Sequence, residues 1–245
     1  MLNLYAIKIL KKSHLTIVPT SYFKEKVLEY YPFLNPKKIF VSPSAGIESN
    51  KFYFKGNKDF TKNSITIGFV SRFIEEKGWK TFLEALVILK RSGIPFNAIM
   101  AGKGPDESKI LDYISKHKLE THLEFLGLVK QERLIDIYND LDLYIFPTYR
   151  EAESLGLTGL EAMSCGTAVA SCNVSGPTTY IKHNLNGFLF PPKATDALVE
   201  IITHYYHLTE EEKRNLSREA LKTAKEYDSK IVSEKLLKKL KEITI

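Results

Sequence analysis

The spacing of apolar residues changes character near residue 64. From there on, short apolar runs alternate with stretches of helical periodicity, the pattern of strands buried on both faces between covering helices. The runs Ile65 to Val70, Asn97 to Ala101, Leu123 to Leu126, Leu143 to Phe146, Ala168 to Ser171 and Gly187 to Phe190 predict six strands. Between the first two, Phe82, Ala85, Leu86 and Leu89 recur at i, i+3, i+4 and i+7, which predicts a helix over 78–90 with one face on a sheet. The class is α/β, with a doubly wound parallel sheet. Upstream, 14–20 reads as a strand, 21–31 as a helix with Ser21 as N-cap, and 38–42 as a strand, a single βαβ unit with too little sheet to be a doubly wound domain of its own. Residues 42–63 are rich in Ser, Gly, Asn and Lys without apolar periodicity and read as a linker. Residues 230–245 form a helix with Leu236, Leu237, Leu240 and Ile243 at helical spacing, expected to pair with the N-terminal unit. The expected division is 1–50, a linker over 51–63, a main domain over 64–227, and a C-terminal helix over 228–245.

Composition narrows the class without naming a function. Of 245 residues, 44% are hydrophobic and 26% charged, as in ordinary globular proteins, and the chain is long enough to build a core without disulfides. Two cysteines and six unclustered histidines do not form a disulfide framework or a four-ligand zinc site, so a reducing, cytoplasmic setting is expected and no metal site. No run is apolar and long enough to span a membrane, and the first dozen residues lack the core and cleavage site of a signal peptide. The net charge of +6 is concentrated at the front, where residues 1–40 hold seven lysines and two acidic residues. Such a segment can attract an anionic membrane surface or nucleic acid. The first option leaves peripheral contact at the inner face of a membrane open. The second lacks the interleaved aromatic and basic residues of nucleic-acid binders, and a solvated face accounts for the charge most simply.

Three loops carry candidate chemistry. After the first main strand, Arg72 and Lys77 bracket a loop leading into a helix, where a diphosphate would meet fixed cations and unpaired N–H groups. The alternative is that both are exposed and pair with Glu75 and Glu76. The Ala101-Gly102-Lys103-Gly104-Pro105 turn meets neither dinucleotide-binding nor P-loop spacing and is read as turn chemistry with Pro at the first helical position. The third loop follows Phe146, and a helix begins near Thr158. Glu153 lies on the loop and Glu161 in the expected first helical turn; carboxylates there can accept hydrogen bonds from sugar hydroxyls, while the N–H groups of Ser154, Leu155, Gly156 and Leu157 face phosphate. Against this, Thr158 and Glu161 have the T-x-x-E form of a capping box. Cys165 lacks a histidine partner and reads as structural, Met163 as core. Residues 176–181 are expected to open another helix and to close a wall of the same pocket.

In order along the chain, Ser-Pro-Ser-Ala-Gly-Ile-Glu at 42–48, the Arg72 and Lys77-Gly78 loop, Ala-Gly-Lys-Gly-Pro at 101–105, Phe125-Leu126-Gly127, the Glu153 to Glu161 motif running into Glu-Ala-Met-Ser-Cys-Gly-Thr, and Asn186-Gly187-Phe188 closely resemble the group 1 retaining glycosyltransferases, family four. The resemblance covers about 14–240. It implies a GT-B fold of two facing Rossmann-like domains, of which this chain is mainly the C-terminal, donor-binding half after a partial N-terminal, acceptor-side remnant. It also implies that Arg72 and Lys77 hold the diphosphate of a nucleotide-sugar donor, that Glu161 contacts the ribose, that Glu153 with the adjoining loop contacts the transferred sugar, and that Gly127 belongs to the donor-binding set. The implied catalytic set is Arg72, Lys77 and Glu153. The implied reaction is sugar transfer with retention to a glycan or lipid-linked acceptor, without metal, cofactor or protein nucleophile; the nucleotide sugar is substrate. The alternative is a non-catalytic nucleotide-sugar-binding or partner subunit. Ser154, Leu155, Thr158 and Thr179 depart from the family's frequent Gly, Phe, Pro and acidic residue, so donor preference is expected to differ. The acceptor-binding part is expected from a separate N-terminal half. Arg72 and Lys77 are both expected to be dispensable for stability.

Overall fold

Every one of the six expected apolar runs is a strand of one parallel sheet. The computed structural model describes residues 4–56 and 58–244, so residues 1–3, Asn57 of the linker and Ile245 of the last helix lie outside the described residues. The sheet is built from β3 (Ile65–Val70), β4 (Phe96–Ala101), β5 (Leu123–Gly127), β6 (Leu143–Phe146), β7 (Ala168–Cys172) and β8 (Gly187–Phe190), in the order β5-β4-β3-β6-β7-β8. The three central strands are buried along almost their whole length, which is why they read as continuous apolar runs. Alternation then divides them between two cores. Ile65, Ile67, Phe69, Leu143 and Ile145 face one layer with α3 (Trp79–Ser92) and α7 (Thr195–His207); Val70, Tyr144 and Phe146 face the other, with α5 (Gln131–Asp140), α6 (Leu157–Ser164) and α8 (Glu210–Glu226). The remaining helix of the main sheet, α4 (Glu107–His117), joins β4 to β5.

The N-terminal unit is smaller than expected within its strands and larger in its helices. Its two parallel strands shrink to β1 (Thr16–Val18) and β2 (Ile39–Val41), and α2 (Ser21–Tyr30) between them is capped by Thr20, not Ser21: the Thr20 hydroxyl accepts the Phe23 N–H at 3.4 Å. An unforeseen helix, α1 (Leu4–Lys12), precedes them, and its Leu10 joins a core of Val18, Leu34 and Ile39. Among its described residues the expected linker has no helix or strand, but it is not loose. Ile47, Phe52 and Phe60 are buried, Phe52 lies 5.9 Å from the Tyr138 ring, and the Lys58 ammonium donates to the Leu141 carbonyl and to the Thr167 hydroxyl, burial pushing its pKa down to about 8. Apolar anchors spaced too irregularly to show a period hold this segment down.

Two chain crossings join the N-terminal unit to the sheet. The Ile47 N–H donates to the Tyr227 carbonyl at 2.8 Å, and the Ser229 N–H returns a bond to Ile47 at 2.9 Å. From there α9 (Ser229–Thr244) leaves with Val232 buried and Ile231, Leu237 and Leu240 exposed.

One glycine fixes how the loop after β3 meets the loop after β6. Gly78 lies at φ +75°, and a Cβ there would meet the Pro147 carbonyl oxygen at 2.1 Å; Gly93 has the similar φ of +73° with nothing within 4 Å. Gly93→Ala is expected to cost only the left-handed backbone, about 1–2 kcal/mol, and Gly78→Ala distinctly more. Urea denaturation of the two variants compares them, and equal losses would mean that the contact with Pro147 is not tight in solution.

Candidate functional site

β3 and β6 are neighbours in the sheet, but the chain leaves β3 toward β4 on one side and leaves β6 toward β7 on the other. Connections that diverge in this way open a crevice at the carboxyl ends of the two strands, the usual place for a ligand in an open parallel sheet. Arg72 and Lys77 follow β3; Pro147 to Gly156 follow β6. The two cations fare differently. Arg72 is exposed, and its side chain has no hydrogen-bond or ion-pair partner among the described residues. Lys77 is buried at the end of a short 3-10 turn, Glu75–Lys77, and its ammonium pairs with the Glu153 carboxylate and lies 5.7 Å from the centre of the Phe146 ring. A pair this dry needs both members, since an unpartnered buried charge is costly. The expected partners of Lys77, Glu75 and Glu76, are not used; Glu76 instead faces Arg150 at 3.8 Å.

Backbone bonds hold the two loops in this relation. The Tyr149 N–H and the Thr148 hydroxyl both donate to the Glu76 carbonyl, at 3.0 and 3.3 Å. From the other side the 101–105 turn supports the Arg72 loop: Phe73 donates to the Lys103 carbonyl at 3.0 Å, and Asp106 to the Phe73 carbonyl at 3.1 Å. That turn is a buttress, as its spacing suggested. Pro105 is not at the first helical position, however, because α4 starts two residues later with Asp106 as its N-cap.

The motif after β6 begins with a rigid bend. Gly156 is left-handed and α6 starts at Leu157, so Thr158 lies inside the helix and Glu161 falls in the second turn. No capping box forms there, because a cap needs the threonine outside the first turn. The N–H groups of Ser154, Leu155, Gly156 and Leu157 make no hydrogen bond within the described residues, which leaves the loop and the start of α6 with unpaired donors. Residues 176–181 form only a 3-10 turn over Gly176–Thr179, pressed so close that a Cβ on Gly176 would meet the Ser154 carbonyl oxygen at 2.1 Å, while the Tyr180 hydroxyl donates to the Gly156 carbonyl at 3.1 Å. The turn supports the loop from behind.

Glu161 has a partner that the sequence did not announce. The Tyr138 hydroxyl, buried on α5, donates to its Oε2 at 3.1 Å, and burial holds the Glu161 carboxyl above the usual carboxylate range against the opposing effect of that bond. Tyr144, on the neighbouring strand β6, is itself buried, its hydroxyl donating to the Val70 carbonyl at 2.8 Å, and burial is the main cause of its own raised pKa. The loops after β3 and β6 thus carry Arg72, Lys77, Glu153 and the 154–157 segment at the carboxyl ends of adjacent strands, with Glu161 on the helix that follows. Gly127 ends the edge strand β5, where its carbonyl accepts the Gly102 N–H at 2.7 Å. Cys165 is buried at the end of α6, its thiol pushed up to about 12 by burial, as suits a structural residue. A cavity of about 570 Å³ lies elsewhere, between Phe52, Tyr53 and Phe54 and the α8 side chains Leu221 and Ala224, and none of the candidate residues lines it.

The sequence model of the glycosyl transferases group 1 matches residues 51–223, more than half of the chain. The chain belongs to that family. It is 31% identical over 161 residues to the amylovoran biosynthesis glycosyltransferase AmsK of Erwinia amylovora, covering 64% of this chain and 39% of AmsK. To the gpi3 subunit of the phosphatidylinositol N-acetylglucosaminyltransferase of Schizosaccharomyces pombe it is 28% identical over 176 residues, 70% of this chain and 37% of that one. The chain thus spans about two fifths of the length of these curated relatives. Among solved structures, HepE of Anabaena in complex with UDP and glucose superposes with a TM-score of 0.82 at 20% identity, over 97% of this chain and 66% of that one. This likeness shows the fold, the Rossmann-like C-terminal architecture of a GT-B glycosyltransferase.

The unlike settings of the two cations set their expected stability effects apart. Arg72→Ala is expected to change unfolding free energy by no more than about 0.5 kcal/mol. Lys77→Met strands Glu153 and is expected to cost about 3–5 kcal/mol, in contrast with the sequence-based expectation that both cations are dispensable for stability. The Lys77→Met/Glu153→Leu double variant is expected to recover part of that loss. Denaturant titration of the three variants is the measurement, and a Lys77 effect as small as that of Arg72 would show the pair to be open in solution.

Proposed function

We propose that the crevice binds the diphosphate and ribose of a nucleotide-diphosphate sugar, and that the chain is mainly the donor-binding half of a retaining transferase. The observation that carries this reading is the convergence of one free cation, one buried paired cation and a row of unpaired N–H groups at the point where β3 and β6 diverge. The Lys77 ammonium spends one of its three donors on Glu153, leaving two for phosphate oxygens. Arg72 adds a planar fork at the mouth. Glu161 offers the carboxylate Oε1 to ribose hydroxyls, and Glu153 lies where it can accept from the sugar. The family membership of the chain and the UDP and glucose held by HepE support this reading.

In this reading the bond from the anomeric carbon to the diphosphate breaks while the acceptor oxygen bonds to the same face. The acceptor proton passes to the departing diphosphate oxygen, so retention needs no protein nucleophile. Fixed cations and N–H groups stabilise the charge that develops on the leaving group, and removing one such donor typically costs 10²- to 10³-fold in rate. No metal is needed for that neutralisation. The acceptor, a glycan or a lipid-linked sugar, is met by residues outside this donor-binding half. The chain works in the cytoplasm, with peripheral contact at the inner face of a membrane through Lys8, Lys11 and Lys12 beside the exposed Leu4 and Ile9 of α1. A second reading, a partner subunit without activity of its own, is favoured by the small N-terminal unit, whose Ile17, Tyr30 and Phe33 are exposed.

Calorimetry with UDP, GDP and ADP is expected to show binding of at least one that is unchanged by chelator, with Arg72→Ala weakening it about tenfold or more, the value of a charge-assisted hydrogen bond. Binding that depends wholly on Mg²⁺, or no binding at millimolar nucleotide, overturns the reading. The purified chain alone is expected to transfer little or no sugar, because positioning of the acceptor supplies much of the rate. Assay with and without an added N-terminal half decides between the two readings; robust transfer by the chain alone contradicts the division into halves.

A further inference from the structure

The mechanism above uses Glu161 but leaves its buried partner unexplained. Tyr138 is fully buried, and its hydroxyl has one hydrogen-bond acceptor among the described residues, Glu161 Oε2 at 3.1 Å. The ring is held by neighbours on two sides: Phe52 from the linker at 5.9 Å and, edge-on, Tyr144 at 5.6 Å, itself fixed by donating to the Val70 carbonyl at 2.8 Å. Its backbone carbonyl is bound by the Thr167 hydroxyl. A phenol locked this firmly is a fixed donor. Glu161, by contrast, is only half-buried, on a helix of eight residues that starts at a glycine without a side-chain cap, and it has no cation partner among the described residues. Left alone, its carboxylate would be free to rotate and, desolvated as it is, disposed to take up a proton.

We infer that Tyr138 is the positioning residue for Glu161, holding Oε2 so that Oε1 stands ready for the ribose hydroxyls of the donor. A carboxylate oxygen that accepts from ribose hydroxyls is most effective when it is oriented before the ligand arrives, and one fixed O–H donor at the far oxygen supplies that orientation. Phe52 extends the chain of contact to the linker, so the ribose site rests on a segment outside the sheet. This inference depends on the reading that Glu161 binds ribose.

The test compares affinities for whichever of UDP, GDP and ADP binds tightest and for its 2′,3′-dideoxy counterpart, with melting temperature measured in parallel. Glu161→Gln is expected to reduce the preference for the ribonucleotide about tenfold or more, since the hydrogen bond to a charged acceptor is lost. Tyr138→Phe, which keeps the ring and its packing, is expected to reduce the preference roughly threefold to tenfold. Adding Tyr138→Phe to Glu161→Gln is expected to change the preference no further. If Glu161→Gln leaves the preference unchanged, the ribose reading itself fails. If Glu161→Gln lowers it and Tyr138→Phe does not, whatever happens to the melting temperature, Tyr138 is merely structural and the inference is overturned.

Discussion

The carboxyl edge of the sheet is organised around a charge that cannot be left alone. Lys77 is buried at the point where the chain turns from β3 into α3, and its ammonium is held by Glu153 from the loop after β6. Those two loops leave adjacent strands in opposite directions and would otherwise have no reason to stay together. The ion pair, the contact of Gly78 with Pro147 and the bonds from Thr148 and Tyr149 to Glu76 tie them across the crevice. Desolvating two charges offsets most of their attraction, so the pair contributes geometry more than net stability. What it secures is a cation whose place is fixed before any anion enters.

That arrangement also bears on the proposed diphosphate site, where a carboxylate would otherwise be out of place. A diphosphate placed directly against Glu153 would meet like charge at close range. With the ammonium between them, one side of Lys77 neutralises Glu153 and the other is open to the crevice, while Arg72 remains untethered at the rim. The unpaired N–H groups of Ser154 to Leu157 belong to the same economy of charge. A loop with four donors and no acceptor of its own is an unfavourable way to end a strand, and the fold tolerates it because the Gly176–Thr179 turn and the Tyr180 hydroxyl brace the loop from behind. Stability is supplied around the crevice and withheld inside it.

The sheet was legible because its central strands are buried on both faces, so apolar runs and strands coincide almost residue for residue. Short-range patterns were less reliable, and one pattern shows why. Thr-x-x-Glu occurs at Thr158 to Glu161 and at Thr209 to Glu212. At Thr209 the backbone is extended, the threonine stands just outside α8, and a full capping box forms; at Thr158 the helix has already begun at a left-handed glycine, and Glu161 turns to Tyr138 instead. The spacing is the same and the outcome depends on where the helix starts, which tertiary contact decides. Tyr138 itself carried no signal, since a buried tyrosine on an amphipathic helix looks like core until the fold brings a carboxylate from 23 residues away to its hydroxyl. The burial of Lys77 was hidden for the same reason: nothing adjacent in sequence distinguishes it from the exposed Lys80.

The N-terminal unit shows how far this dependence on distant contacts reaches. Two three-residue strands and a core of three buried residues are too little to stand alone. The unit is held by the paired crossings at Ile47 and Tyr227 to Ser229, and by α2, which lies against the Gly176–Thr179 turn. That turn is in contact on its other side with the Ser154 backbone, so a single rigid turn stands between the N-terminal unit and the loop whose N–H groups face the crevice. Tyr227 adds a second connection, its ring 5.8 Å from that of Tyr180, which bonds to Gly156. The crossing that joins the two parts and the loop that ends β6 are therefore one packed assembly. A shift of α2 against the sheet must either be absorbed at the turn or be felt at Ser154 and Gly156, and close-packed groups with a backbone contact this tight leave little room to absorb it.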